Sequence, residues 1–226
     1  MKTADLAKLR KEMEKTLEPK RYEHTLSVAY TAANLAAVHG VDIEKALVAG
    51  MLHDCAKCLS YKKQMSLCVK NHIVLSETEA QEDSPLLHAK AGGALAKQEY
   101  GITDEDILNA IYYHTTGRPQ MSPLEQVIYI ADYIEPGRKH MKRTAAIEEQ
   151  YMQNLAAARK LAYQDLNEAL CRILQDTLAH LTRKGGKIDP MTRETYEYYK
   201  VRHAGSAKQF PIYDTTERKE ATVYGQ

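Results

Sequence analysis

At 226 residues the chain fits one domain of ordinary size, or one domain with a tail, and is long enough to bury a sizeable core. A formal charge of +1 excludes the strongly basic surface that coats nucleic acid. No apolar run approaches the roughly 18 residues that a membrane-spanning helix needs, and MKTADLAKLRKEMEKTLEPK at the N-terminus has no apolar signal segment, so a cytoplasmic protein is expected.

The predicted elements are helical almost from end to end, without the alternating pattern of strands. A first helix covers about residues 3–16 and is interrupted at Pro19. The next runs from about 21 to 38, with His24, Val28 and Leu35 on one face and Gly40 at its end. Asp42 can cap a helix carrying Ile43, Leu47 and Met51, and Asp54 continues that face. Residues 61–83 read as one or two shorter polar helices with a loop. Ser84-Pro85 marks a helix start and Gly101 a stop, with His88 one turn before Gly92. Thr103-x-x-Asp106 resembles a capping box and opens a helix through Ile107, Ile111 and His114, broken by Gly117-Arg118-Pro119. Ser122-Pro123-Leu124-Glu125 opens another, which carries Asp132 and ends near Glu135-Pro136-Gly137. A single long helix is expected between about 144 and 183, stopped by Gly185-Gly186, and one short helix after Ile188-Asp189-Pro190. From about 201 the composition turns polar and aperiodic. The expectation is an all-α single domain over residues 1–200, with a mobile tail over 201–226.

Five of these segments point an imidazole or carboxylate at the core. Any one of them alone reads as a hydrogen-bonded core residue. Four histidines and two aspartates together would be costly to bury without compensation, and a bound cation supplies it. Imidazole and carboxylate suit iron, manganese or zinc. Cys55-x-x-Cys58 with Cys68 and His72 superficially resembles a zinc site, but incidental reduced thiols are the better reading beside His53-Asp54. His39, His72, His140, His180 and His203 receive no role.

The order His24, His53-Asp54, His88, His114, Asp132 resembles the HD-domain pattern of helical phosphohydrolases. The strings RYEHTLSVA, AGMLHDCAKCL, HAKAGGALAKQEYGI, ILNAIYYHTTGRPQMSPLEQVIYIADYIEPGR and KIDPMT resemble the YqeK family, bacterial symmetrical bis(5'-nucleosyl)-tetraphosphatases, over roughly residues 5–200. That resemblance implies an HD-domain-like helical bundle. It also implies hydrolysis of diadenosine tetraphosphate and related dinucleoside polyphosphates to two nucleoside diphosphates, with iron, as one or two ions, and with manganese or another divalent metal as the alternative. His24, His53, Asp54 and Asp132 would hold a first metal. His88 and His114 would complete a second site sharing Asp54, or would contact phosphate. Asp54 and Lys57 would be catalytic. His24, Lys57, His88, His114, Thr115, Arg118 and Arg138 would face the substrate. The chain departs from the family at Tyr196-Glu197, where members carry an Arg-Asn pair. Another HD-type nucleotide phosphohydrolase and a non-catalytic nucleotide-sensing module are the rival readings. No nucleic-acid or membrane partner is expected, and a homodimer is left open.

Overall fold

The computed structural model describes residues 5–137 and 145–203. Among them are ten α-helices and no strand: α1 (Leu6–Thr16), α2 (Pro19–His39), α3 (Ile43–Leu52), α4 (Tyr61–Lys70), α5 (Leu87–Gln98), α6 (Glu105–Tyr112), α7 (Pro123–Ile134), α8 (Ala145–Ala162), α9 (Leu166–Lys184) and α10 (Pro190–His203). Arg138, His140 and the segment from residue 204 onward lie outside the described residues.

Local chemistry sets most boundaries. Asp5, Asp42 and Asp165 each accept backbone N–H bonds at the start of α1, α3 and α9, and Ser122 does so for α7 behind Pro123. Gly40 and Gly185 end α2 and α9 at φ +67°, a left-handed position that favours glycine.

Three boundaries differ from the sequence reading. The segment after about 144 is two helices rather than one, because Asp165 takes the amides of Asn167 and Glu168 and restarts the chain as α9. The capping residue of α6 is Asp104 rather than Thr103; it accepts from Asp106 and Ile107. Helix α5 starts at Leu87, two residues after Pro85, since the Ser84 hydroxyl accepts from the Leu86 amide in a turn. Pro85 is thereby left in the wall of the central cavity.

Helix α2 packs most closely on α3 and also lies against α7. Helix α6 sits among α3, α5 and α7, with α4 covering α5; α9 joins α8 and α10 to α7. The main core contains Leu35, Leu52, Leu108, Ile111, Ile128 and Leu170, all fully buried, each contributing about 2 kcal/mol of transfer free energy. The α2–α3 approach depends on Gly50. A Cβ there would stand 2.7 Å from the Cα of Ala29. That closeness brings the end of α3, where His53 and Asp54 emerge, beside the first turns of α2.

Residues 71–86, between α4 and α5, are tied down by polar contacts. Ser76 and Thr78 donate to the Asp189 carboxylate ahead of α10, and Glu79 accepts from the Ser76 amide at 2.8 Å and faces Lys90 Nζ at 3.5 Å. Asp189 also accepts from the Met191 amide, so KIDPMT anchors this connection while starting α10.

Candidate metal centre

Six sequence-selected residues come together, five of them around Asp54. His24 sits on α2 and His88 on α5, Asp132 sits in the last turn of α7, and His53 closes α3. Asp54 and His114 lie just past helix ends rather than within helical turns, Asp54 after α3 and His114 after α6. The carboxylate of Asp54 is almost wholly buried, and its two oxygens face different groups. Oδ2 lies 3.5 Å from His53 Nε2 and 3.9 Å from His24 Nε2; Oδ1 lies 3.0 Å from His88 Nε2 and 3.7 Å from His114 Nε2. Asp132 Oδ1 approaches His24 Nε2 to 3.1 Å. Two potential metal-binding groups thus share one carboxylate: His24, His53 and Asp54, and Asp54, His88 and His114, with ligand atoms in each within 4.8 Å of one another.

The imidazoles are oriented from behind. His53 Nδ1 bonds the Gly50 carbonyl at 2.7 Å, His114 Nδ1 bonds the Ile111 carbonyl at 2.8 Å, and His24 Nδ1 meets Glu135 Oε1 at 3.2 Å. A carbonyl or carboxylate oxygen only accepts, so each of these rings holds a proton on Nδ1 and turns its Nε2 toward Asp54. Among the described residues, His53 Nε2 is buried without a hydrogen-bond partner, and His24 Nε2 is buried facing the carboxylates of Asp132 at 3.1 Å and Asp54 at 3.9 Å. A buried ring nitrogen is rarely left unpartnered as His53 Nε2 is, and a cation between the two imidazoles and the carboxylates would satisfy it and balance their charge. The donor set, nitrogen and oxygen without thiolate, fits a divalent transition metal such as iron or manganese. The cysteines stand apart as free thiols, with Cys58 exposed and Cys55 and Cys68 buried.

The titration behaviour of the cluster says the same. Burial opposes charge on His24, but the carboxylates of Asp132 and Glu135 outweigh it and push its pKa up to about 9. A site that holds a proton this firmly is one that attracts a cation. Burial would raise the pKa of Asp54, yet the surrounding imidazoles hold it well below the usual carboxylate range. Burial drives His88 down to about 4 and also lowers Lys57, whose ammonium stands 3.0 Å from His88 Nδ1.

All of the cluster except His53, which lies fully buried beneath it, forms the floor of an open cavity of about 960 Å³, with Lys57, Pro85 and Thr115 in its walls. A second cavity of about 680 Å³ adjoins it across Pro85, His114, Thr115 and Asp132 and continues to Tyr129, Tyr133 and Asp189. Lys57 and Thr115 thus line the cavity. Arg118 does not: it is absent from both cavity walls, and its guanidinium is committed to Glu125 through bonds of 2.7 and 2.6 Å. It was expected to face the substrate, but the buried Glu125 carboxylate in the first turn of α7 takes it in a bidentate pair.

Two residues escaped the sequence reading. Arg21 donates to Asp54 Oδ2 at 2.8 Å, and Glu135 orients His24. Each stands three positions from a selected ligand, Arg21 before His24 and Glu135 after Asp132, so helical phase was the signal available. Glu135 is fixed in turn by the Gly137 amide at 2.5 Å, while Arg159 of α8 donates to the Ile134 and Glu135 carbonyls that end α7.

Comparison with known proteins agrees with this geometry. The HD-domain family model matches residues 21–137. The symmetrical bis(5'-nucleosyl)-tetraphosphatase of Halalkalibacterium halodurans is 39% identical over 78% of this chain and 87% of its own length. That of Bacillus subtilis is 38% identical over 79% and 88%. A crystal structure from Clostridium acetobutylicum, of a predicted HD superfamily hydrolase involved in NAD metabolism, superposes with a TM-score of 0.77 at 42% identity, covering 87% of this chain and 97% of that one. With the HD pair at the centre of a shared carboxylate and its partners supplied in HD order, the chain belongs to the HD-domain superfamily and, within it, to the bacterial symmetrical bis(5'-nucleosyl)-tetraphosphatase family.

Proposed function

We propose that this enzyme hydrolyses diadenosine tetraphosphate and related dinucleoside polyphosphates at the central phosphoanhydride, giving two nucleoside diphosphates. The observation that carries the reading is the convergence of two buried imidazole nitrogens, His24 Nε2 and the unpartnered His53 Nε2, with the Asp132 and Asp54 carboxylates beneath a cavity large enough for a polyphosphate. His24, His53, Asp54 and Asp132 would hold the metal, iron in the first instance and manganese as the alternative. His88 and His114 would complete a second site on Asp54 Oδ1, or face a phosphate oxygen. When bound, the metal supplies Lewis acidity and an activated water at neutral pH.

The chain's own residues do the rest. One water adds at an inner phosphorus, and the bridging oxygen departs with the other diphosphate. Asp54 is held ionised by its imidazoles and stays available as a ligand through the reaction. Lys57 reaches the cavity beside His88 and neutralises charge gathering on the phosphate oxygens, and Thr115 offers a hydroxyl on the wall between the two cavities. The adjoining cavity, with Tyr129 and Tyr133, gives the substrate room beyond the phosphates. Among the described residues no helix is long and apolar enough to cross a membrane; a cytoplasmic enzyme with no nucleic-acid partner belongs to the same proposal.

Product identification tests it. Purified protein with its metal content measured should convert diadenosine tetraphosphate to ADP alone. AMP plus ATP would refute symmetrical cleavage. Far faster turnover of mononucleotides would shift the assignment to a nucleotidase on the same metal site.

A further inference from the structure

The cavity floor poses a charge problem for a polyphosphate. Its lining holds five carboxylates, those of Glu18, Glu23, Asp54, Asp132 and Glu135, against the cations Lys20, Arg21 and Lys57. A metal would neutralise part of this, but a tetraphosphate chain still needs fixed cations on either side of the bond that breaks. Arg118 is committed to Glu125 and does not reach the cavity.

Arg21 does reach it. Its Nη1 lies 2.8 Å from Asp54 Oδ2, its side chain is 36% exposed, and that contact is its one side-chain hydrogen bond among the described residues. A guanidinium carries five N–H donors in a planar fork, so the remaining donors are available to an anion in the cavity. The residue stands one turn before His24 on α2, which fixes its register to the candidate ligands. Lys57 serves the opposite side. Arg21 bonds Oδ2, the oxygen facing His24 and His53, whereas Lys57 contacts His88, which bonds Oδ1. The two cations therefore flank the two halves of one shared carboxylate.

We propose that Arg21 anchors one diphosphate half of the substrate, opposite Lys57, which anchors the other. The inference rests on the dinucleoside polyphosphate reading. It gives that reading a physical reason for central cleavage: with a fixed cation on each side of Asp54, two phosphates are held on either flank and the middle bond lies over the metal ligands. Arg21 is then a substrate-binding group that also orients Asp54.

The test uses the metal-loaded full chain with Arg21→Gln and Arg21→Lys. Calorimetric binding of ADP and of inorganic pyrophosphate is measured beside steady-state kinetics on diadenosine tetraphosphate. Arg21→Gln is expected to weaken both ligands at least tenfold and to raise KM in proportion, with bound metal unchanged at saturation. Arg21→Lys, which keeps the charge and loses the fork, should recover part of the loss. Unchanged ADP and pyrophosphate binding in Arg21→Gln, with only kcat or metal affinity altered, would overturn the anchor and leave Arg21 as a support for Asp54. If the wild type fails to cleave diadenosine tetraphosphate while Arg21→Gln still loses pyrophosphate binding, the substrate assignment falls and the anchor stands.

Discussion

Gly50→Ala probes how the fold makes the site. A Cβ at position 50 would lie 2.7 Å from Ala29 Cα and 3.1 Å from Ala29 N, both backbone atoms that no side-chain rotation can move. Carbon atoms rest comfortably at about 3.5–4.0 Å, so α2 and α3 must separate by roughly 1 Å. Overpacking of this kind costs about 1–3 kcal/mol, and the gain in helix propensity on replacing glycine returns up to about 1 kcal/mol. With that offset in full, a net loss of up to about 2 kcal/mol is expected. The separation also moves Arg21 and His24, on α2, away from His53 and Asp54, which follow α3. It disturbs the very residue whose carbonyl orients His53. Ligand distances in a metal site tolerate about 0.2 Å, so a shift several times larger should lower metal affinity at least tenfold. Urea denaturation and competition with a chelating dye give the two readouts. Gly186→Ala, where an added carbon meets nothing within 4 Å, is the control. A Gly50→Ala protein matching wild type in both stability and metal affinity would refute the idea that this helix contact sets the ligand spacing.

Other perturbations separate structural from chemical roles. Glu135→Ala removes the group that orients His24 Nδ1 and should cost 10–100-fold in metal affinity, roughly the range for such supporting partners; an unchanged chelator titration would show that α2 orients the ring unaided. Arg118→Ala leaves the buried Glu125 carboxylate without its bidentate partner and should destabilise the fold by about 3 kcal/mol, while KM for the dinucleotide stays near wild type. A raised KM at unchanged stability would restore Arg118 to the substrate. The pKa of His24, raised from 6.5 to about 9, predicts a pH-dependent stability in protein stripped of metal by chelation. The charged ring contributes about 3 kcal/mol that is fully present below pH 6.5 and lost as pH rises through 9. Thermal midpoints should therefore fall across that window in stripped protein and stay flatter in metal-loaded protein; equal slopes in both forms would count against His24 as a ligand.

Helical periodicity and end signals made most of the architecture readable, because capping chemistry is local. Asp42, Ser122, Gly40 and Gly185 act within a few residues of themselves, and the structure uses each as the sequence suggests. Where reading failed, two local signals competed. Asp165 could equally have been an exposed acid on one long helix, and only the pairing of α8 with α9 turns it into a cap. Ser84-Pro85 had the chemistry of a helix start, but the hydroxyl closes a turn and the proline faces the cavity.

For the site, residue type and phase were enough to select the six candidate ligands, since burying that many imidazoles and carboxylates together is strongly unfavourable without a cation among them. Cations were harder to assign. A guanidinium reaches several ångströms from its backbone, so its partner depends on which carboxylate the fold brings near. Arg118 sat in the promising string TTGR, yet Glu125, seven residues on, captures it once α7 begins at Pro123. Arg21 looked like one charge among several on the first turn of α2, yet it lands on Asp54, thirty-three positions away, because the α2–α3 contact at Gly50 places the two side by side. The same glycine thus fixes His24 against His53 and delivers Arg21 to the carboxylate between them. Metal affinity and pyrophosphate affinity should therefore fall together in Gly50→Ala, whereas in Arg21→Gln the nucleotide and pyrophosphate binding should fall with metal content at saturation unchanged. Arg21→Gln is distinguished by keeping its full metal content at saturation while ADP and pyrophosphate binding weaken, and a Gly50→Ala protein that loses metal but binds pyrophosphate normally would break the link between that contact and Arg21.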